Sequence, residues 1–144
     1  MDIKDFFTDI QQRDIQLAIE NAELNTSGEI RVHLTKNCKQ DVIKKSKQVF
    51  EKLKMHQTEL RNGVLIFLAV EDRKFAILGD KGINDLVEDD FWDSIRNQMI
   101  EEFKKEQFTV GLCQGIEMIG KKLKANFPYQ KDDTNELTND ISFE

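Results

Sequence analysis

Seven consecutive apolar residues, Val64-Leu65-Ile66-Phe67-Leu68-Ala69-Val70, constrain this chain more than any other feature. A run without alternation reads as a strand covered on both faces, hence central in a sheet. It cannot cross a bilayer, which takes about 20 residues in a helix. Glu71-Asp72-Arg73-Lys74 reads as a turn, and Phe75-Ala76-Ile77-Leu78 as the returning strand. That strand ends at Gly79-Asp80-Lys81-Gly82, so the two form an antiparallel hairpin.

Upstream, Thr8 to Gln11 fits a capping box, followed by Ile15, Ala18, Ile19 and Ala22 on one helical face. The helix should stop before Asn25-Thr26-Ser27-Gly28. From Glu29 to Leu34 the period is two: Ile30, Val32 and Leu34 point one way, Glu29, Arg31 and His33 the other. This predicts a strand with one wet or polar face. Asp41 caps a second helix, with Val42, Ser46, Val49, Phe50 and Leu53 inward and a lysine-rich outer side. Asp90 is expected to open a third helix and Thr109 to cap a fourth. Gly111, Gly115 and Gly120 lie in that last helix and call for close packing. A short extra strand near Ile83 to Val87 is left open. The order is therefore helix, strand, helix, strand, strand, helix, helix. It predicts an α/β fold, a three-layer α/β/α sandwich around a small mixed β-sheet. The first two strands, joined through a helix, should run parallel.

At 144 residues the chain is one domain's length. The expected division is an α/β domain over 1–128 and a disordered acidic tail over 129–144. The tail holds one base, Lys131, against Asp132, Asp133, Glu136, Asp140 and Glu144. The net charge of −6 argues against nucleic acid or an anionic membrane surface as partner. The amino terminus has acids where an export signal has bases, and no apolar stretch follows, so a cytoplasmic location is expected. Cys38 and Cys113 form no zinc or redox spacing and read as reduced structural thiols. Gly-rich phosphate loops, nucleophile elbows and HExxH are absent from the sequence.

Topology supplies the functional expectation. If the first two strands are parallel and the third runs back, Glu29, Asn62 and Asp80 gather on one rim. The segment Asn84-Asp85-Leu86-Val87-Glu88-Asp89-Asp90 leaves from the same rim. Carboxylate and amide oxygens in this density suit a hard cation, Ca²⁺ or Mg²⁺. Taken singly, the same residues have plainer readings: Asp89 and Asp90 as helix-capping acids, Asp80 as a turn residue, Glu29 beside Arg31 on a wet face. The opposite rim, with Thr35 to Cys38 and Glu71 to Lys74, is the rival location, because ligands of open α/β sheets favour the carboxyl ends of parallel strands.

The stretches Thr26-Ser27-Gly28-Glu29-Ile30-Arg31-Val32, Arg61-Asn62-Gly63-Val64-Leu65-Ile66, Arg73 to Ile77 and Gly79-Asp80-Lys81-Gly82-Ile83 resemble the TPM domain family. Phe91-Trp92, Gly111-Leu112 and Gly115-Ile116 are similar to its soluble bacterial branch. The resemblance covers about residues 5 to 128 and implies an α/β/α sandwich. Some members are described as acid phosphatases, and some bind calcium or other divalent ions. It thus implies an acidic metal site near Asn62-Gly63 and from Gly79 to Asp90, with Asn62 and Asp89 at matching positions. The chain departs from the pattern at Arg61, where many members have Asp, and at Asn84, where many have Glu. Together these readings predict a soluble divalent-cation-binding domain with Asp80 and Asp89 as first ligands, and Asp90, Glu29, Asn62 and Asn84 as second. The alternatives are a metal-dependent phosphatase acting on phosphomonoesters, with Arg61 on a phosphate oxygen, and a non-catalytic protein-interaction module. The physiological protein partner is not legible in the sequence.

Overall fold

A computed structural model describes residues 2–130 and 135–144; positions 131–134 of the acidic tail lie outside the described residues. The architecture is α/β. The sheet has the order β3-β2-β1-β4, with β1 at Glu29–Thr35, β2 at Gly63–Ala69, β3 at Lys74–Gly79 and β4 at Ser142–Phe143. As expected, β1 and β2 are parallel, with Glu29 opposite Gly63, and β3 is antiparallel to β2, with Val64 opposite Gly79.

All seven residues of β2 are buried, as a strand covered on both sides requires. On one face Ile30, Val32, Leu34, Val64, Ile66 and Leu68 join the core made with α1 (Asp9–Ala22), α4 (Asp93–Lys104) and α5 (Phe108–Leu123). On the other, Leu65, Phe67 and Ala69 pack against Val49 and Phe50 of α2 (Val42–Lys52) and against Met55. Thr8 closes the capping box of α1, and Asp41 caps α2 through the Lys44 amide. Gly120 lets α5 lie close to α1: a Cβ there would come within 2.9 Å of the Ala22 Cβ. Among the described residues no helix is long and apolar enough to cross a membrane.

Four local readings are corrected or, for the segment after Gly79, decided. Helix α4 begins at Asp93, not at Asp90, because residues 85–92 make turns first; Asp90 only lends its carbonyl to the Asp93 amide, at 3.1 Å. Helix α5 begins at Phe108, with Gln107 rather than Thr109 at its cap position. The region after Gly79 is a single helical turn, α3 (Lys81–Asn84), not a strand.

The fourth correction is the largest. The alternating face of β1 is not wet: Glu29, Arg31 and His33 are all buried. What covers them is the C-terminal segment, whose residues 135–144 fold back along β1 instead of remaining detached. His33 pairs with Ser142 and Leu34 with Phe143 in parallel register. The Leu137 amide donates to Glu29 Oε1 at 2.7 Å, Arg31 Nη2 donates to the Asp140 carbonyl at 3.3 Å, and His33 Nδ1 meets Ser142 Oγ at 2.8 Å. Ile141 is buried in the main core, and Leu137 packs on the α2 cluster. Two apolar anchors and a row of polar partners thus hold a segment whose composition alone gives no reason for order. The lysine face of α2 receives its end, with Lys45 Nζ and Lys52 Nζ 2.9 and 3.4 Å from Glu144.

Candidate functional site

The backbone brings the expected rim together. The Glu29 amide donates to the Asn62 carbonyl at 3.2 Å, and the Asp80 amide to the Gly63 carbonyl at 2.9 Å. Glu29, Asn62 and Asp80 therefore sit side by side at the amino ends of β1 and β2 and the end of β3.

Their side chains then diverge. Asp80 is 6 % exposed and accepts from Arg61 through both oxygens, from Nε at 2.8 Å and from Nη2 at 2.9 Å. It also caps α3, accepting from the Lys81 amide at 2.7 Å. Asn62, fully buried, points its amide at Ser27 Oγ, 3.4 Å away. Asn84 donates to the Gly79 carbonyl at 2.8 Å. Asp89 and Asp90 are exposed on the segment that leads to α4. Among the described residues no three His, Cys, Asp or Glu side chains converge as a metal-ligating group.

Arg61 is the residue whose part spacing does not reveal. Its backbone lies in the left-handed region, φ 50°, and that turn aims the guanidinium at Asp80. The pair forms one wall of an open cleft of about 460 Å³ that Lys47, His56, Lys81, Asn84 and Asp85 also line. Gly82 makes the wall possible. Its amide donates to the Arg61 carbonyl at 2.8 Å, and a Cβ would come within 2.2 Å of the Leu60 carbonyl oxygen.

Glu29 belongs to a different environment. Burial pushes its carboxyl up to about 7, against the opposing hydrogen bond from the Leu137 amide, and the neighbouring Glu136 adds to the rise. Burial likewise raises Glu23 to about 8, although it accepts from the Ile30 amide at 3.0 Å. His33 goes the other way: burial holds its ring down to about 4 despite the nearby Glu144.

For a hard cation the cleft offers oxygen donors of the right kind: the Asp80 and Asp85 carboxylates and the Asn84 amide oxygen. The Asp80 charge is already matched by Arg61, so an ion at Asp80 takes the place of a guanidinium. With its side chain 45 % exposed, Arg61 has solvent to move into.

A family model described as TPM domain matches residues 1–122. The solution structure of the BA42 protein from the psychrophilic bacterium Bizionia argentinensis is 52 % identical, with 96 % of each chain covered and a TM-score of 0.92. The N-terminal domain of the cg2496 protein from Corynebacterium glutamicum shares the fold at 15 % identity and a TM-score of 0.66, covering 99 % of this chain and 83 % of that one. No match was found among curated proteins.

Proposed function

The chain belongs to the TPM domain family, and on that premise we propose that it binds a divalent cation, Ca²⁺ or Mg²⁺, at the β3–α3 rim. What supports this reading is one observation: Asp80, Asn84 and Asp85, all oxygen-bearing and within six residues of chain, line a single open cleft. Asp80 is the anchoring ligand, Asn84 and Asp85 its partners, and Asp89 and Asp90 exposed acids that raise the local cation concentration. Glu29 and Asn62 shape the rim through backbone bonds, and neither lines this cleft. The experiment is a titration of CaCl₂ and MgCl₂ into ¹⁵N-labelled protein. Saturable amide shifts within 80–90, weakened in Asp80→Asn, are expected; shifts absent from that segment overturn the site.

A second reading, phosphomonoester binding or hydrolysis in the same cleft, is favoured by the orientation of Arg61. Asp80 takes Nε and Nη2, which leaves Nη1 for a phosphate oxygen, with Lys47 and Lys81 in the same lining. With Arg61 kept on Asp80, a cation held instead by Asp85 and Asn84 would polarise the ester and acidify a water. Turnover of p-nitrophenyl phosphate that needs added Mg²⁺ and is lost in Arg61→Gln is the expected result. Turnover equal in the variant removes this reading and leaves the cation site to its own titration.

A further inference from the structure

The rim opposite the acidic segment holds a second cavity with different chemistry. It lies where β2 ends and turns into β3, at the carboxyl end of the parallel pair, the side where open α/β sheets bind ligands. Its volume is about 220 Å³. Leu68 of β2, Phe75 of β3, Ile100 and Phe103 of α4 and Phe108 of α5 give it an apolar lining. The rings are ordered against one another: Phe75 and Phe103 meet edge to face at 5.1 Å, and Phe103 and Phe108 lie 5.4 Å apart. The two other lining residues, Arg73 and Lys104, are cationic and exposed.

Charge fixes what such a cavity takes. Arg73 reaches Glu106 at 3.3 Å, both side chains about 70 % exposed. Lys104 has no ion-pair partner among the described residues. Both charged residues of the lining are basic, and the one acid paired with them, Glu106, leaves one of the two unmatched. Water inside has few polar groups to bond, so an apolar ligand part displaces it readily. The space is that of a ring or a short chain, not of a helix.

The geometry points to a binding site for a small amphipathic monoanion, an aromatic or short acyl carboxylate, with its apolar part among Phe75, Phe103 and Phe108 and its carboxylate between Lys104 and Arg73. This site is separate from the proposed cation cleft and stands whether or not that cleft binds metal.

The test is a titration of phenylacetate into the ¹⁵N-labelled full chain, with neutral phenylacetamide in parallel and with Lys104→Gln and Arg73→Gln, two exposed positions. Saturable shifts at Leu68, Phe75, Phe103 and Phe108 are expected. Phenylacetamide and the Lys104→Gln protein should each show about fivefold weaker binding, the scale of one exposed charge pair. No saturable shift at these residues overturns the proposal, as does equal binding of acid and amide. Shifts that follow protein concentration without any probe also overturn it, by assigning the cavity to a second copy of the chain.

Discussion

The guanidinium of Arg61 and the carboxylate of Asp80 face each other edge to edge, with two nitrogens 2.8 and 2.9 Å from two oxygens. A side chain nineteen positions upstream thus supplies, within the protein, the positive charge that a cation would otherwise bring to Asp80. A cation bound at Asp80 would compete with Arg61 for the same oxygens. Replacing Arg61 by asparagine, which tolerates the left-handed backbone there, should tighten Ca²⁺ binding, by about tenfold on the scale of one close charge removed. Isothermal titration of wild type and Arg61→Asn checks it; unchanged or weaker binding means that Asp80 is not a ligand.

Gly82 is the steric hinge of the same wall. Its missing Cβ leaves room for the Leu60 and Arg61 carbonyls, which a methyl group would approach to 2.2 and 2.6 Å. Both obstacles are backbone, so the first turn of α3 must shift. Gly82→Ala should cost about 1–3 kcal/mol, the usual range for overpacking, and should move the Arg61 side-chain Nε resonance as the pair with Asp80 opens. Thermal unfolding and a ¹H–¹⁵N spectrum read the two effects together.

The sequence made the frame legible where one local rule and one tertiary demand agreed. The run 64–70 had to be doubly covered, Thr8 and Gln11 had to cap a helix, and both features stand in the structure. It was misleading where the decisive partner is remote. The period of β1 is that of a half-wet strand, yet Glu29 is met by Leu137, more than a hundred residues away. Asp80 sits in a Gly-Asp-Lys-Gly turn as read, but its bond to Arg61 depends on how the turn before β2 is aimed. Asp90 and Asp93 are both plausible helix-opening acids by type; the turns between them decide, and no periodicity marks those.

The C-terminal cover rests on one apolar anchor more than any other. Ile141 is buried in the main core, while the residues on either side of it make polar contacts to Arg31 and His33. Ile141→Ala should destabilise the fold by about 2–4 kcal/mol, as buried aliphatic truncations do. The same variant should speed hydrogen exchange at Leu34, whose backbone faces β4 and whose carbonyl accepts from the Glu144 amide at 3.0 Å. An exchange rate unchanged at Leu34 would falsify the view that Ile141 holds the segment on β1.

Two carboxyls raised by burial should make the protein less stable as the solution becomes alkaline. Glu29 and Glu23 are raised by burial from 4.5 to about 7 and about 8. Between these limits the folded chain keeps protons that the unfolded chain has released. Their contribution is therefore full below 4.5 and is lost as pH rises through 7 and then 8. His33 has the opposite sign, because its ring falls from 6.5 to about 4, so it favours the folded state increasingly as pH rises across that window. Below 6.5 it offsets one carboxyl; above 6.5 only the carboxyls act. The expected outcome is a Tm that falls between about pH 6.5 and about pH 8.5. Glu29→Gln keeps an oxygen for the Leu137 amide but has nothing to ionise, so its Tm should fall less over the same interval and exceed that of wild type at the upper end. A slope identical to wild type would mean that the Glu29 carboxyl is already ionised in the folded chain at pH 6.5.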